Sequence, residues 1–298
     1  METLIQLSLS SLALGSLYSL VALGYVIIYR STQVLSFAHG ELLSMGAFLM
    51  ISYVNLGLIW PIAFLAAVTS AGLLAMIMER IVLRPLLGQP IFITIIMTLF
   101  LGLVLRIILV QVYGVEPLGM DTPWEPSAAI SVGKAKILYS QIGMMVAGIV
   151  FLGLFYLLEN YSKLGISLRA ASYDQEACLS LGIPVGKLFG FTWFMAALLA
   201  GVGGIFLGMF PNTVSPDLGY IAFRVFPAVI VGGLISPLGA VVASLLIAFL
   251  EVFSQSYLNP ALGEFGRNFH AVVPYIFMII FLLIRPYGLF GKKEVERV

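Results

Sequence analysis

Apolar residues come in long unbroken runs along this chain, and polar residues fall as short interruptions between them. The runs cover roughly 5–29, 37–54, 58–78, 90–111, 137–158, 188–210, 237–253 and 268–284. Each is close to the ~20 residues that a helix needs to cross a hydrocarbon layer of about 30 Å. The breaks carry turn and stop residues, as in "NLG", "ERIVLRPLLGQP", "FPNTVSPDLG" and "RPYG". The pattern predicts an all-α polytopic membrane protein with eight long transmembrane helices and no soluble domain, so 1–298 reads as one transmembrane domain.

The stretch 221–236, "IAFRVFPAVIVGGLIS", fits this pattern less well. Its apolar part after Arg224 is about 11 residues long, or about 16 Å as a helix, which is half a bilayer. Charge decides how it is placed. With the N-terminus outside and this stretch crossing as a broken or half helix, the inner side receives Arg30, Arg80, Arg84, Lys163, Arg169, Lys187, Arg285, Lys292, Lys293 and Arg297. The outer side then receives Lys134, Lys136, Arg224 and Arg267, a bias of ten to four. If the stretch only dips in and returns, the count becomes seven to seven. Since basic residues accumulate in cytoplasmic loops, the first arrangement is expected, with the C-terminus in the cytoplasm. The "GGLISP" backbone must then be shielded by protein, because irregular backbone facing lipid leaves its polar groups unpaired.

Composition narrows the function. Hydrophobic residues make up 61% of the chain and charged residues 10%, against about a quarter charged in a soluble domain. Mean hydropathy is +1.08. A net charge of +1 argues against a nucleic-acid partner, which needs a dense basic patch. The first apolar run has no basic segment before it and is long enough to remain as a span, so no cleaved signal is expected. Cys178 is the one cysteine, which excludes an internal disulfide and a cysteine-based metal cluster. His39 and His270 have no ligand-like spacing around them, so no metal or other cofactor is expected. The Gly-Lys pairs at 133–134, 186–187 and 291–292 are followed by Ala, Leu and Lys, so none completes a phosphate-binding loop.

Two polar segments stand out. "RAASYDQEACLSLGIPVGK", Arg169 to Lys187, lies in the long inner loop at 159–187. Read as a helix from about Ser167 to Leu181, it places Ala171, Cys178 and Leu181 along one stripe and stops at Gly182 and Pro184. Small residues on such a face allow another protein's backbone to come close; an ordinary amphipathic surface helix is the plainer alternative. The second segment, "SFAHGE", covers Ser36 to Glu41. Ser36 is expected to cap a helix beginning at Phe37, with Glu41 in its first turns, where the helix dipole favours an anion. The plain reading is a capped helix start; the functional one makes Ser36, Phe37, His39 and Glu41 part of a translocation path or gate.

A resemblance separates the readings of the inner loop. Glu176-Ala177-Cys178, followed by Gly182, resembles the loop by which permeases of ATP-binding-cassette (ABC) importers engage their ATPases. "GSLYSLVALGYVIIYRSTQVLSFAHGELLSMGAF" (15–48) and "AFRVFPAVIVGGLISPLGAVVASLLIAFLE" (222–251) are similar to segments of the LivH-type permeases for branched-chain amino acids. The chain departs from the family pattern at Cys178, where a second alanine is usual, and at Ser36, where asparagine is usual. The resemblance implies a subunit of the bacterial or archaeal plasma membrane. Its partners would be two ATP-binding-cassette ATPases, a homologous LivM-type permease and an external amino-acid-binding protein. It also implies that Arg169, Ala170, Asp174, Glu176, Ala177, Cys178, Leu181 and Gly182 form the ATPase-coupling loop. The chain itself is then no enzyme, since ATP hydrolysis would sit in the partner chains. Substrates of related permeases include branched-chain and other neutral amino acids, short amides and urea.

The rival is a stand-alone secondary transporter coupled to an ion gradient through Glu41, Glu79 or Glu251. Arg106 and Glu251 are otherwise expected to lie near span ends and snorkel, and Trp60, Trp124 and Trp193 to sit in interfacial belts.

Overall fold

The computed structural model describes residues 2–86, 88–132, 135–209 and 211–291, with side chains described at all of these except 2, 3, 132, 135, 176 and 265. The charge count therefore includes Lys134, Lys292, Lys293 and Arg297 from outside the described residues.

Six helical runs are long and apolar enough to cross a membrane: Leu4–Thr32, Trp60–Leu86, Ile91–Tyr113, Tyr139–Tyr161, Val185–Leu207 and Pro237–Ala261. They contain α1 (Glu2–Thr32), α3 (Trp60–Met78), α4 (Ile91–Tyr113), α5 (Tyr139–Tyr161), α8 (Val185–Leu207) and α10 (Pro237–Phe253). Their ends follow local chemistry. Pro61 opens α3, Gly114 with φ of 83° closes α4, and the Ser236 hydroxyl accepts from Gly239 N at 3.1 Å to start α10 beside Pro237.

The other two expected spans are shorter than the sequence suggested. The run at 37–54 becomes α2 (His39–Asn55), 17 residues or about 25 Å. The run at 268–284 is a 3-10 turn followed by a 12-residue helix, Val273–Ile284. The stretch after Tyr220 forms α9 (Ile221–Gly232), 12 residues or about 18 Å, entered through a 3-10 turn at Pro216–Tyr220. The all-helical expectation also missed a hairpin, β1 (Ala129–Val132) with β2 (Ala135–Leu138), in antiparallel register Ala129 to Leu138. The Gln6 side chain ties it to the start of α1, donating to Lys136 O at 2.7 Å and accepting from Lys136 N at 2.8 Å.

The core is built around α1 and α8. Their apolar windows are 83% and 78% buried, against 22% for α4 and α5, which places the first pair inside and the second at the periphery. α8 packs on α1, α2 and α3, and α1 also lies against α10 and α5. Close approach of α2 and α8 depends on glycine: a Cβ on Gly46 would lie 2.4 Å from Gly201 Cα, well inside contact distance. Trp193 is 2% exposed within α8. It is a core residue and not a belt residue, packed within the main hydrophobic cluster. Trp60 does meet Trp124, with ring centroids 6.0 Å apart.

The two ends of the bundle are distinct. One gathers the hairpin, Trp60, Trp124 and a bridge between Leu118 and Val214. The other gathers the C-terminal end of α1, the 159–187 loop, the α9–α10 turn and the turn at 285–290.

Candidate functional site

The chain leaves α1 at Gln33, which takes a φ of 56°, and Val34–Ala38 returns without helical structure into the bundle. α2 begins only at His39, whose Nε2 lies 3.1 Å from Val21 O in the middle of α1. Ala38 is the cap residue, with no side-chain cap bond, so the expected Ser36 cap at Phe37 does not form. Two features account for this. Phe37 N donates to Thr98 Oγ1 on α4 at 3.2 Å, which holds the backbone out of the helix, and Ser36 supplies its carbonyl to His39 N at 3.4 Å. α2 is thus a 17-residue helix with its N-terminus deep in the protein.

α9 meets it there. The 3-10 turn Pro216–Tyr220 descends from the hairpin end, and Gly219 reaches Gly40. A Cβ on Gly40 would lie 2.5 Å from Gly219 O, so only glycine fits between the two segments. From this junction α2 runs toward one end of the bundle and α9 toward the other, where Leu289 N donates to Val231 O at 2.7 Å. Two helix N-termini, each carrying partial positive charge, therefore converge at mid-depth.

Charged side chains close the junction. Glu41 lies in the first turn of α2, and its Oε1 is 3.8 Å from Arg106 Nη1 on α4. The other guanidinium arm pairs with Asp217, and the group stands over the Tyr220 ring at 4.3 Å from its centroid. Arg106 does not snorkel as expected from its place in the sequence; two acids and an aromatic face hold it in the protein. Phe37 stacks on Phe226 at 6.4 Å and faces Phe223 at 6.2 Å, while Tyr25 lies 4.5 Å from the His39 ring. Ser36 Oγ, His39 Nδ1 and Glu41 Oε2 are buried with no hydrogen-bond partner among the described residues. A buried polar atom without a partner is costly, so three at one junction point to a place where something else binds or moves. Asp217, Tyr220, Phe223 and Thr98 were not foreseen. The only available signal was the cluster of Pro, Gly and Asp before α9.

Glu251, expected near a span end, is 3% exposed. It accepts from Tyr18 OH at 2.7 Å and from Arg224 Nη1 at 3.1 Å. Glu79 is likewise buried and forms a fork with Arg84, which also donates to Gly186 O on α8.

The inner loop is an elbow and not one helix. α6 (Lys163–Tyr173) and α7 (Gln175–Ser180) meet at Asp174, whose extended backbone breaks the helix and whose side chain accepts from Ala177 N at 2.8 Å. The expected stripe is divided. Ala171 and Cys178 are buried against Val185, Leu188 and Phe189 of α8, whereas Leu181 is 80% exposed. The outward surface is made by Tyr173, Ala177, Leu179 and Leu181. The turn breaks there because Asp174 caps α7. Gly182 follows with φ of 78°, left-handed as expected for the stop. Arg169 donates to Glu159 O, Ala170 packs beside the small cluster, and Gln175 donates to Ser31 O at 3.1 Å, tying the elbow to α1. The Glu176 side chain lies outside the described residues.

Residues 7–282 match the family described as the permease component of branched-chain amino acid transport systems. The high-affinity branched-chain amino acid transport system permease protein LivH of Escherichia coli (strain K12) is 26% identical over 314 residues, covering 99% of this chain and 97% of its own. The corresponding protein BraD of Pseudomonas aeruginosa is 27% identical over 307 residues, covering 99% and 98%. A probable branched-chain amino acid transport permease protein LivH of Methanocaldococcus jannaschii is 29% identical over 302 residues, covering 95% and 92%.

Proposed function

The chain belongs to the family of permease components of branched-chain amino acid transport systems, and from that premise we propose that it forms part of the path of an ABC importer. It is a multi-pass protein of the plasma membrane. Its cargo would be branched-chain amino acids, the class named for its relatives, or other small neutral amino acids.

The observation that carries this reading is the α2–α9 junction. Interrupted helices whose N-termini meet at mid-depth leave backbone and side-chain polar groups inside the membrane, which is tolerated only where protein or a path covers them. Glu41, Arg106 and Asp217 then serve as a gate across that path, and Ser36, Phe37 and His39 line its closed side.

In the proposed arrangement the chain is one transmembrane domain, with eight long helices and α9 as a half helix. The N-terminus is outside and the C-terminus cytoplasmic. The elbow at 163–182 within the 159–187 loop docks on an ATPase through Tyr173, Ala177, Leu179 and Leu181, with Arg169, Ala170, Asp174 and Cys178 holding its shape. Two ATPases, a LivM-type permease and an external binding protein complete the assembly, and nucleotide hydrolysis occurs in the ATPases. Closure of the ATPases pushes the elbow. Its tie from Gln175 to Ser31 passes that movement to α1, against which the junction is built.

The ion-coupled alternative needs a carboxylate free to exchange protons or sodium. Glu41, Glu79 and Glu251 each have an arginine within 4.0 Å, so each carboxylate already has a cationic partner.

The test is purification of the tagged protein from its own membranes in mild detergent, followed by uptake assays in proteoliposomes. Two ATPases and a second permease should copurify, and radiolabelled leucine should accumulate only with ATP and the binding protein. Gly182→Pro should abolish uptake while the protein stays in the membrane, because proline cannot take a φ of 78°. Leucine accumulation by the chain alone, without ATP, would overturn the reading.

A further inference from the structure

A cleft of about 540 Å³ opens beside the junction and shares Asp217 with the gate. It lies toward the hairpin end, between α1, α9 and α10, and its size falls in the usual range for small-molecule sites, about 300–1,000 Å³. Leu14, Leu207, Leu218 and Ile221 provide apolar wall. Against them stand Asp217, Arg224 and Glu251, three charged groups in one small volume.

The roles of the three differ. Glu251 is buried and already accepts from Tyr18 at 2.7 Å and from Arg224 at 3.1 Å, so it is a fixed counter-charge and not a free ligand. Arg224 is held by that contact through Nη1, yet its side chain is 43% exposed and lines the cleft. Nη1 donates to Glu251 and Tyr18 lies beside the same group; a guanidinium carries five donors, so others remain for a ligand. Asp217 is 70% exposed and lines the same cleft from the 3-10 turn that leads into α9.

We infer that this cleft is an outer loading site for the zwitterionic head of a neutral aliphatic amino acid. Arg224 takes the α-carboxylate, Asp217 takes the α-ammonium group, and the leucine and isoleucine wall receives the side chain. Glu251 and Tyr18 are positioning residues that fix the guanidinium. The inference rests on the importer reading and adds the site and its chemistry. Asp217 also pairs with Arg106 at the gate. An ammonium group arriving in the cleft competes with Arg106 for that carboxylate, so loading loosens the gate.

The experiment uses the intact permease–ATPase complex in nanodiscs without the binding protein. Saturation-transfer NMR, which detects weak binding, is read with L-leucine, leucinamide and 4-methylpentanoate. Leucine should bind best, since each analogue lacks one half of the zwitterion. Arg224→Gln should weaken leucine binding about tenfold to a hundredfold, the scale of one hydrogen bond to a charged group. Arg224→Lys should be milder than Arg224→Gln, and this also guards against a folding defect from unpaired Glu251. Asp217→Asn, at an exposed position, should erase the preference for leucine over 4-methylpentanoate. No leucine binding by the wild-type complex, or equal binding of all three ligands by wild type and Asp217→Asn, would overturn the site. ATP-dependent leucine uptake by the same complex in proteoliposomes supplied with the binding protein, measured in parallel, separates the two failures: uptake without cleft binding sinks this inference alone, and absence of both sinks the importer reading.

Discussion

Arg106 shows how one side chain changes meaning between sequence and structure. Alone in an apolar run, it reads as a charge seeking the membrane surface. In the fold it joins three segments: Glu41 on α2, Asp217 and Tyr220 in the turn before α9, and its own helix α4. No spacing rule connects positions 41, 106 and 217, so only packing could reveal the cluster. Removing the guanidinium leaves the largely buried Glu41 facing no cation, whereas Asp217 can still turn to water. Arg106→Gln is therefore expected to destabilise the protein by about 1–3 kcal/mol, the cost of stranding a buried polar group. Glu41→Gln in the same chain should recover most of that loss, since a neutral amide pair needs no counter-ion. A double-mutant cycle on thermal unfolding in detergent measures the coupling, and strictly additive effects would show that Arg106 and Glu41 do not interact. Uptake by Arg106→Gln should fall about tenfold or more in either background if the pair works as a gate, the least that loss of about 1.4 kcal/mol in the moving step would give.

At the scale of elements, the long helices were legible because membrane thickness sets their length and because Pro, Gly and Asn mark their ends. α2 and α9 were less so: the apolar run opens at Phe37 although the helix begins only at His39, since the break is enforced by Thr98 and Gly219 from elsewhere. The elbow hid for a different reason. Asp174 falls within an amphipathic pattern that continues across it, and its capping role shows only once Ala177 N points at its carboxylate. Asp174→Ala is expected to cost about 1 kcal/mol of local helix stability. Transport-coupled ATP hydrolysis should drop while membrane insertion, followed by blotting, stays unchanged. Full coupling in that variant would mean that the break at 174 has no part in transmission. The α2–α8 crossing is more severe. Gly46→Val places branched carbons where Gly201 Cα already lies, and is expected to destabilise the protein by about 1–3 kcal/mol, read as a lower unfolding midpoint.

For the whole molecule, the proposed orientation rests on charge, and the two ends of the bundle allow it to be tested residue by residue. Ser127 lies by the hairpin, Leu181 at the tip of the elbow, and Ile235 in the turn after α9. Ile235 shares a cleft of about 250 Å³ with Arg30, Ser172 and Tyr173, so it belongs to the elbow's end of the bundle. That placement has the turn Pro216–Tyr220, about 10 Å long, and α9, about 18 Å, follow one another toward the elbow's end of the bundle. Neither is long enough alone, which is why the sequence could raise the half helix but needed the positive-inside bias to decide its direction. Cys178 is buried, so Cys178→Ala gives a clean background for single cysteines. In right-side-out vesicles a membrane-impermeant maleimide should label Ser127→Cys at once, and Leu181→Cys and Ile235→Cys only after permeabilisation. Labelling of Ile235→Cys together with Ser127→Cys would make α9 a re-entrant segment. In that case the junction would open to one side only, and a path between α2 and α9 could not exist.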